Sequence, residues 1–240
     1  MIPEHYVWFV WSAAFLIPWA VLYLCFPQHR KAMLWGSVFT TPFGLTEPLF
    51  VPEYWNPPSL FHLAQRTGFD LESLVFCFGI GGVGAVLYNV LTNTRTIAVP
   101  ERDRCAPRHR FHYLALFSPF LTFVLLAFLP WNAIYPGVIA MFVGAAATMH
   151  CRPDLLRKTW VGGLIFLTYY FVYFLGLRLI EPGYVEKVWQ MERLTGVLAL
   201  GIPIEELVFA LGFGLYWSGV YEHFTWRQPL APERAPQRTL

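Results

Sequence analysis

Charge is scarce in this sequence. Only 13% of its 240 residues are Asp, Glu, Lys or Arg, where ordinary soluble domains carry roughly 25%. Hydrophobic residues make up 56% and aromatic ones 18%. A soluble monomer of this size needs more polar surface than these residues supply. Disorder needs few aromatics and a high net charge, so it is excluded as well. Cysteine is also sparse: Cys25, Cys77, Cys105 and Cys151 show no metal-type spacing, so neither a disulfide framework nor a metal site is expected. A basic leader with a cleavage site is missing, and the first apolar run reads as retained. What is left is a polytopic membrane protein.

A spanning helix needs about 20 mostly apolar residues. Seven stretches meet this: 6–26, 32–51, 69–91, 111–129, 131–149, 160–180 and 203–224. Pro42, Gly44 and Glu47 interrupt the second, which is tolerated where neighbouring protein satisfies the freed backbone groups. Barrel strands would alternate in short segments, whereas these runs are apolar on all sides. The expected fold is an all-α polytopic membrane protein with about seven transmembrane helices.

With seven crossings, one side receives Arg30, Lys31, Arg95, Arg102, Arg104, Arg108, Arg110, Arg152, Arg157, Lys158, Arg227, Arg234 and Arg238. The other side receives only Arg66, Arg178, Lys187 and Arg193. The positive-inside rule then predicts a cell-membrane protein with its N-terminus outside and its C-terminus cytoplasmic. The Pro- and Arg-rich stretch after Arg227 reads as a disordered end.

An internal repeat organises the chain. Glu47-Pro48 aligns with Glu181-Pro182 and Trp55 with Trp189. After a one-residue gap Glu72 aligns with Glu205, Leu74-Val75-Phe76 with Leu207-Val208-Phe209, and Tyr88 with Tyr221. This predicts a first three-helix repeat at 1–92, a basic loop and linking fourth span at 93–130, a second repeat at 131–226 and a tail at 227–240. Interfaces between such repeats often house membrane-protein binding sites.

Carboxylates gather on the side opposite the bases. Glu47, Glu72, Glu181, Glu205 and Glu206 border or enter apolar sequence, where an ionised carboxylate must pair, hydrogen-bond or hold its proton. Each has a plainer reading: Asp70 suits a cap of the third span, and Glu205 and Glu206 after Pro203 suit a helix's first turn. Their recurrence at matching places favours function, although a duplicated cap would recur too. Phe76 and Phe209, four residues after Glu72 and Glu205, share a helix face with these acids. Phe213, Tyr216 and Trp217 are further candidates to line a pocket.

Other signals lead elsewhere. Gly79–Gly84 fits a dinucleotide fingerprint literally, but no strand precedes it, and small residues in a span permit close helix packing. His109 and His112 beside the basic loop read as contacts to anionic lipid rather than metal ligands. Nothing suggests nucleic acid binding.

The segment Ile202-Pro203-Ile204-Glu205-Glu206-Leu207, followed by Phe209 and a Gly-rich aromatic helix, resembles the lycopene cyclase domain of membrane-integral carotenoid cyclases. In this family two three-span domains make one enzyme. The first copy departs from the motif, with Asp70-Leu71-Glu72-Ser73 in place of Pro-x-Glu-Glu. The resemblance implies cofactor-free, acid–base cyclisation of the linear end group of a carotenoid through a tertiary cation. Glu205 would be the leading proton donor, with Glu206 and Glu72 as partner or base, and Glu47, Glu181 and Asp70 shaping the outer end of a substrate pocket. The expected partners are a hydrophobic isoprenoid or carotenoid and membrane lipids, with homo-oligomerisation open. The competing class is a non-catalytic isoprenoid-binding or transporting membrane protein.

Overall fold

The structure, a computed structural model, describes residues 2–230. Among these, seven helical segments overlap the seven apolar stretches, the second covering under half of its stretch. We label them α1 (Glu4–Cys25, interrupted at Phe15), α2 (Arg30–Thr40), α3 (Leu71–Leu91), α4 (His112–Leu126), α5 (Ile134–Cys151), α6 (Leu156–Ile180) and α7 (Ile204–Thr225). Four of them are long and apolar enough to cross a membrane: α1, α3, α5 and α6, the last counted from Pro153. The other three differ for local reasons. Helix α2 gives way to a 3-10 run at Thr41–Leu49, where Pro42 and Pro48 remove backbone donors. Helix α4 has 15 residues and contains Pro119. Helix α7 has 22 residues but carries Glu205, Glu206 and Glu222.

The outer surface is unsuited to water. Ile17, Leu24, Phe117, Phe128, Val172 and Leu179 are among many large apolar side chains left exposed, and contiguous exposure of this kind marks a membrane or partner surface. The helices are therefore compatible with membrane insertion.

Helix α7 is central, packing on α6, α5 and α3, while α2 lies on α3 and α4 on α5. Small residues make these approaches possible. A Cβ built on Gly81 of α3 would lie 1.7 Å from Thr40 Oγ1 and 2.6 Å from the Gly36 carbonyl oxygen of α2. A Cβ on Gly163 of α6 would lie 2.6 Å from Leu215 of α7. The glycine-rich stretch of α3 is thus a packing surface. Trp217 of α7 crosses to α3 and donates its indole N–H to the Gly81 carbonyl at 2.9 Å.

Two expectations are corrected, and two of the bases prove to be buried. Residues 227–229, read as the start of a disordered tail, form a strand antiparallel to Thr96–Ala98. The Arg227 side chain adds bonds to Thr96 Oγ1 at 3.0 Å and its carbonyl at 2.8 Å. The rest of the predicted tail, residues 231–240, lies outside the described residues. Arg152 and Lys158, counted among the bases on the predicted cytoplasmic side, are buried. Lys158 Nζ lies 2.5 Å from Glu222 Oε1, which also accepts from Asn89 Nδ2 at 3.0 Å. Arg152 makes a two-pronged pair with Asp154 at 2.9 and 2.6 Å. His109 and His112 are buried too and face Cys151, so they do not form a lipid-contacting surface.

Candidate functional site

The first turn of α7 begins just after Pro203, whose fixed φ and missing N–H suit the entry to a helix. Glu205 and Glu206 follow at adjacent positions, where the helix dipole favours carboxylates. Neighbouring residues on a helix point about 100° apart, and these two acids enter different surroundings.

Glu206 is 6% exposed and enclosed by hydrogen-bond donors. Its Oε1 accepts from the Tyr54 hydroxyl at 2.5 Å and from Trp189 Nε1 at 2.9 Å. Its Oε2 accepts from the Tyr170 hydroxyl at 2.8 Å. The three donors come from the 50–60 loop, the segment after the short helix Tyr184–Val188, and α6. Burial, and after it the neighbouring Glu206 carboxylate, hold the Tyr54 phenol well above the ordinary tyrosine pKa. Tyr54 therefore stays a donor.

Glu205 turns the other way. Its Oε1 accepts from the Thr195 amide at 2.8 Å and the Tyr135 hydroxyl at 3.2 Å, while Oε2 is buried without a partner among the described residues.

The first half of the chain supplies a second set of acids. Asp70 caps α3, its Oδ1 accepting the Ser73 amide at 2.5 Å, and its Oδ2 is left buried without a partner among the described residues. Glu72, fully buried, accepts the Leu60 amide on Oε1 at 2.7 Å, and its Oε2 is likewise unpartnered among the described residues. Glu47, at the end of the 3-10 run, has a buried, unpartnered Oε1 and lies close to Asp70, Ser73 and Trp55. Glu181 stands apart: it is half-buried and accepts the Ile2 amide at 2.8 Å, clasping the start of the chain.

Aromatic rings connect the two sets. Trp55 and Trp189 form an isolated antiparallel bridge, flanked by Asn56 N–H to the Val188 carbonyl at 2.9 Å and Gln190 N–H to the Tyr54 carbonyl at 3.0 Å. Their rings lie 5.3 Å apart, and Trp55 meets Trp8 edge-on at 4.7 Å. Phe76 sits 5.5 Å from Trp8 and 6.4 Å from Tyr170, and Phe209 sits 6.0 Å from Tyr170. Phe213 and Trp217 continue this column away from the acids. Tyr216 departs from it, its hydroxyl donating to the Leu116 carbonyl at 3.3 Å.

Of the residues singled out in the sequence, Glu206, Phe76 and Phe209 therefore share one aromatic cluster, bordered by Glu47, Asp70 and Glu72. Glu205, Glu181 and Tyr216 face elsewhere. The donors Tyr54 and Tyr170 escaped the sequence reading, because a tyrosine near a span end looks like part of an interfacial belt. Trp189 carried one signal, its place opposite Trp55 in the internal alignment.

Two hollows are found among the described residues. One of about 560 Å³ is lined by Phe123, Trp131, Pro136 and the Glu53–Arg193 ion pair. An apolar cleft of about 250 Å³ is lined by Leu16, Thr41, Leu74, Val75 and Phe78, with Leu74 and Val75 within one turn of α3 beyond Glu72. Metal-type donors gather at the far end of α7, around His109, His112 and Cys151.

Comparison with known proteins agrees with the motif. Residues 132–224 match the family model described as lycopene cyclase. No curated protein and no solved structure gave a match. The matched segment contains Tyr135, Tyr170, Trp189, Glu205 and Glu206, whereas Tyr54 and Glu72 lie outside it. Residues 132–224, with their buried glutamate pair at the head of α7, are thus similar to the lycopene cyclase domain family.

Proposed function

We propose that the chain is a multi-pass membrane enzyme that cyclises the linear end group of a carotenoid by acid–base chemistry. The observation that carries this reading is the buried Glu206 carboxylate, held by three hydroxyl and indole donors inside an aromatic cluster. The family match supports the same substrate class.

In this reading a proton adds to the terminal double bond of the end group. The tertiary cation is attacked by the internal alkene, and loss of a different proton leaves a six-membered ring. One proton enters and one leaves, so the change is an isomerisation. Glu206 suits the role of carboxylate that faces the cation and takes the departing proton, because three donors fix its position and offset the loss of water. The rings of Trp55, Phe76, Trp189 and Phe209 suit a desolvated cation, each contact contributing about 2 kcal/mol. Glu47, Asp70 and Glu72, each with one buried carboxyl oxygen that has no partner among the described residues, are the set that delivers a proton. The donor role expected of Glu205 thus passes to Glu47, Asp70 and Glu72, Glu206 acts as the base, and Glu205 becomes a residue that positions the 190–197 segment.

The site draws on both halves of the chain, as the proposed pair of three-helix units requires. The apolar cleft beside Leu74 and Val75 suits an end group arriving from the bilayer. Seven crossings, with the N-terminus outside and the C-terminus cytoplasmic, complete the proposal.

Expression in cells that accumulate lycopene, followed by pigment analysis, tests it. Monocyclic or bicyclic products are expected from the unaltered chain. Glu206→Gln should lose most of them, while Glu205→Gln retains ring formation. Unchanged lycopene, with the protein present in the membrane, would count against cyclisation. Rings at full yield from Glu206→Gln would remove the assigned residue while leaving the function standing.

A further inference from the structure

A second cluster of reactive side chains lies at the end of the bundle away from Glu206. His109 ends the 3-10 turn Pro107–His109, His112 opens α4, and Cys151 closes α5. All three are buried, at 7%, 4% and 3% exposure. Cys151 Sγ stands 3.5 Å from His109 Nδ1 and 3.6 Å from His112 Nδ1, and one donor atom from each residue lies within 4.8 Å of the others.

These separations have a chemical meaning. Around a tetrahedral zinc ion, Zn–S of about 2.3 Å and Zn–N of about 2.05 Å place sulfur and nitrogen about 3.5–3.6 Å apart. Both sulfur–nitrogen edges here have that length. A neutral thiol has one hydrogen to offer two imidazole nitrogens, whereas a metal-bound thiolate serves both at once. The His112 ring is also held in place, stacked on Trp226 at 3.9 Å and met edge-on by His223 at 4.7 Å. Thiolate and imidazole donors together select borderline-soft ions over magnesium or calcium.

We propose that His109, His112 and Cys151 bind a zinc(II) ion that ties the start of α4 to the end of α5, a role separate from the proposed cyclisation. Binding through Nδ1 leaves the ring hydrogen on Nε2, so Arg108, whose Nε lies 3.1 Å from His109 Nε2, must release that contact. Arg108 is exposed and free to turn into solvent.

The test uses the full chain purified in detergent with its thiols reduced, stripped by chelator and titrated with zinc(II) or cobalt(II). One zinc per chain is expected, together with thiolate-to-cobalt charge-transfer absorption and the visible bands of a tetrahedral site. Cys151→Ser should abolish the charge-transfer band. His112→Asn should weaken zinc binding by more than about tenfold. Cys105→Ser and His150→Ala, at exposed positions outside the cluster, should bind as the unaltered chain does. Circular dichroism checks that each variant keeps its helices. Failure of the unaltered chain to take up a stoichiometric ion, or an undiminished charge-transfer band in helical Cys151→Ser, would overturn the proposal.

Discussion

The Tyr54 hydroxyl donates a 2.5 Å hydrogen bond to Glu206 Oε1 across 152 residues of chain. It joins the loop after the broken second helix to the first turn of α7. The same oxygen accepts the Trp189 indole, and Tyr170 holds the other. A buried carboxylate fixed from three directions can neither rotate nor draw in water, as a group facing a carbocation must not.

Tyr54→Phe and Tyr170→Phe each remove one of these donors while keeping the ring. A hydrogen bond to a charged group contributes about 1.5–3 kcal/mol, and 1.36 kcal/mol is tenfold in rate. Each variant should therefore form rings about tenfold to hundredfold more slowly at equal protein level. The double variant should be slower still. Timed pigment analysis, normalised to membrane-bound protein, checks this.

The Lys158–Glu222 pair is expected to govern stability. Both side chains are 1% exposed and 2.5 Å apart. Removing one partner strands a buried charge at a cost of about 3–5 kcal/mol, whereas replacing both by apolar residues is often neutral. Lys158→Met should lower the unfolding temperature in detergent markedly. Lys158→Met with Glu222→Leu should recover most of that loss. A double variant no better than the single would show that Asn89 and the surrounding backbone depend on the charges themselves.

Gly81 offers a steric test. A methyl there would collide with Thr40 and the Gly36 carbonyl, and overpacking of this kind costs about 1–3 kcal/mol. Gly81→Ala should reduce the thermal midpoint and pry α2 from α3, with a faster proteolytic cut in the 41–60 segment as the second readout.

Much of the architecture was legible in the sequence because it follows from local patterns. Apolar runs of spanning length located the helices, Pro42 and Gly44 marked the broken one, and the glycine stretch of α3 announced a close helix contact. Asp70 was readable as a cap, since capping depends only on residues three positions away. Glu205 and Glu206 were identifiable as buried acids, but not which of them meets the aromatic cluster. That choice rests on the rotation of α7 relative to α6 and the 50–60 loop, which depends on packing across the bundle. Tyr54 and Tyr170 were hidden for the same reason. The burial of Lys158 is not legible locally, because its partner Glu222 lies 64 residues away. His109, His112 and Cys151 show no ligand spacing in the chain, and only the packing of α4 on α5 brings them together.

The acid–base account is tested most directly by the fate of solvent hydrogen. Membranes containing the chain are incubated with lycopene in D2O, and the cyclised products are analysed by mass spectrometry. A carboxylic acid that exchanges with solvent delivers its deuteron to the end group, and the ring closes by losing a hydrogen that the substrate already carried. The account predicts one deuterium in the product for each ring formed. Rings without deuterium, or lycopene recovered unchanged beside folded protein, would contradict it.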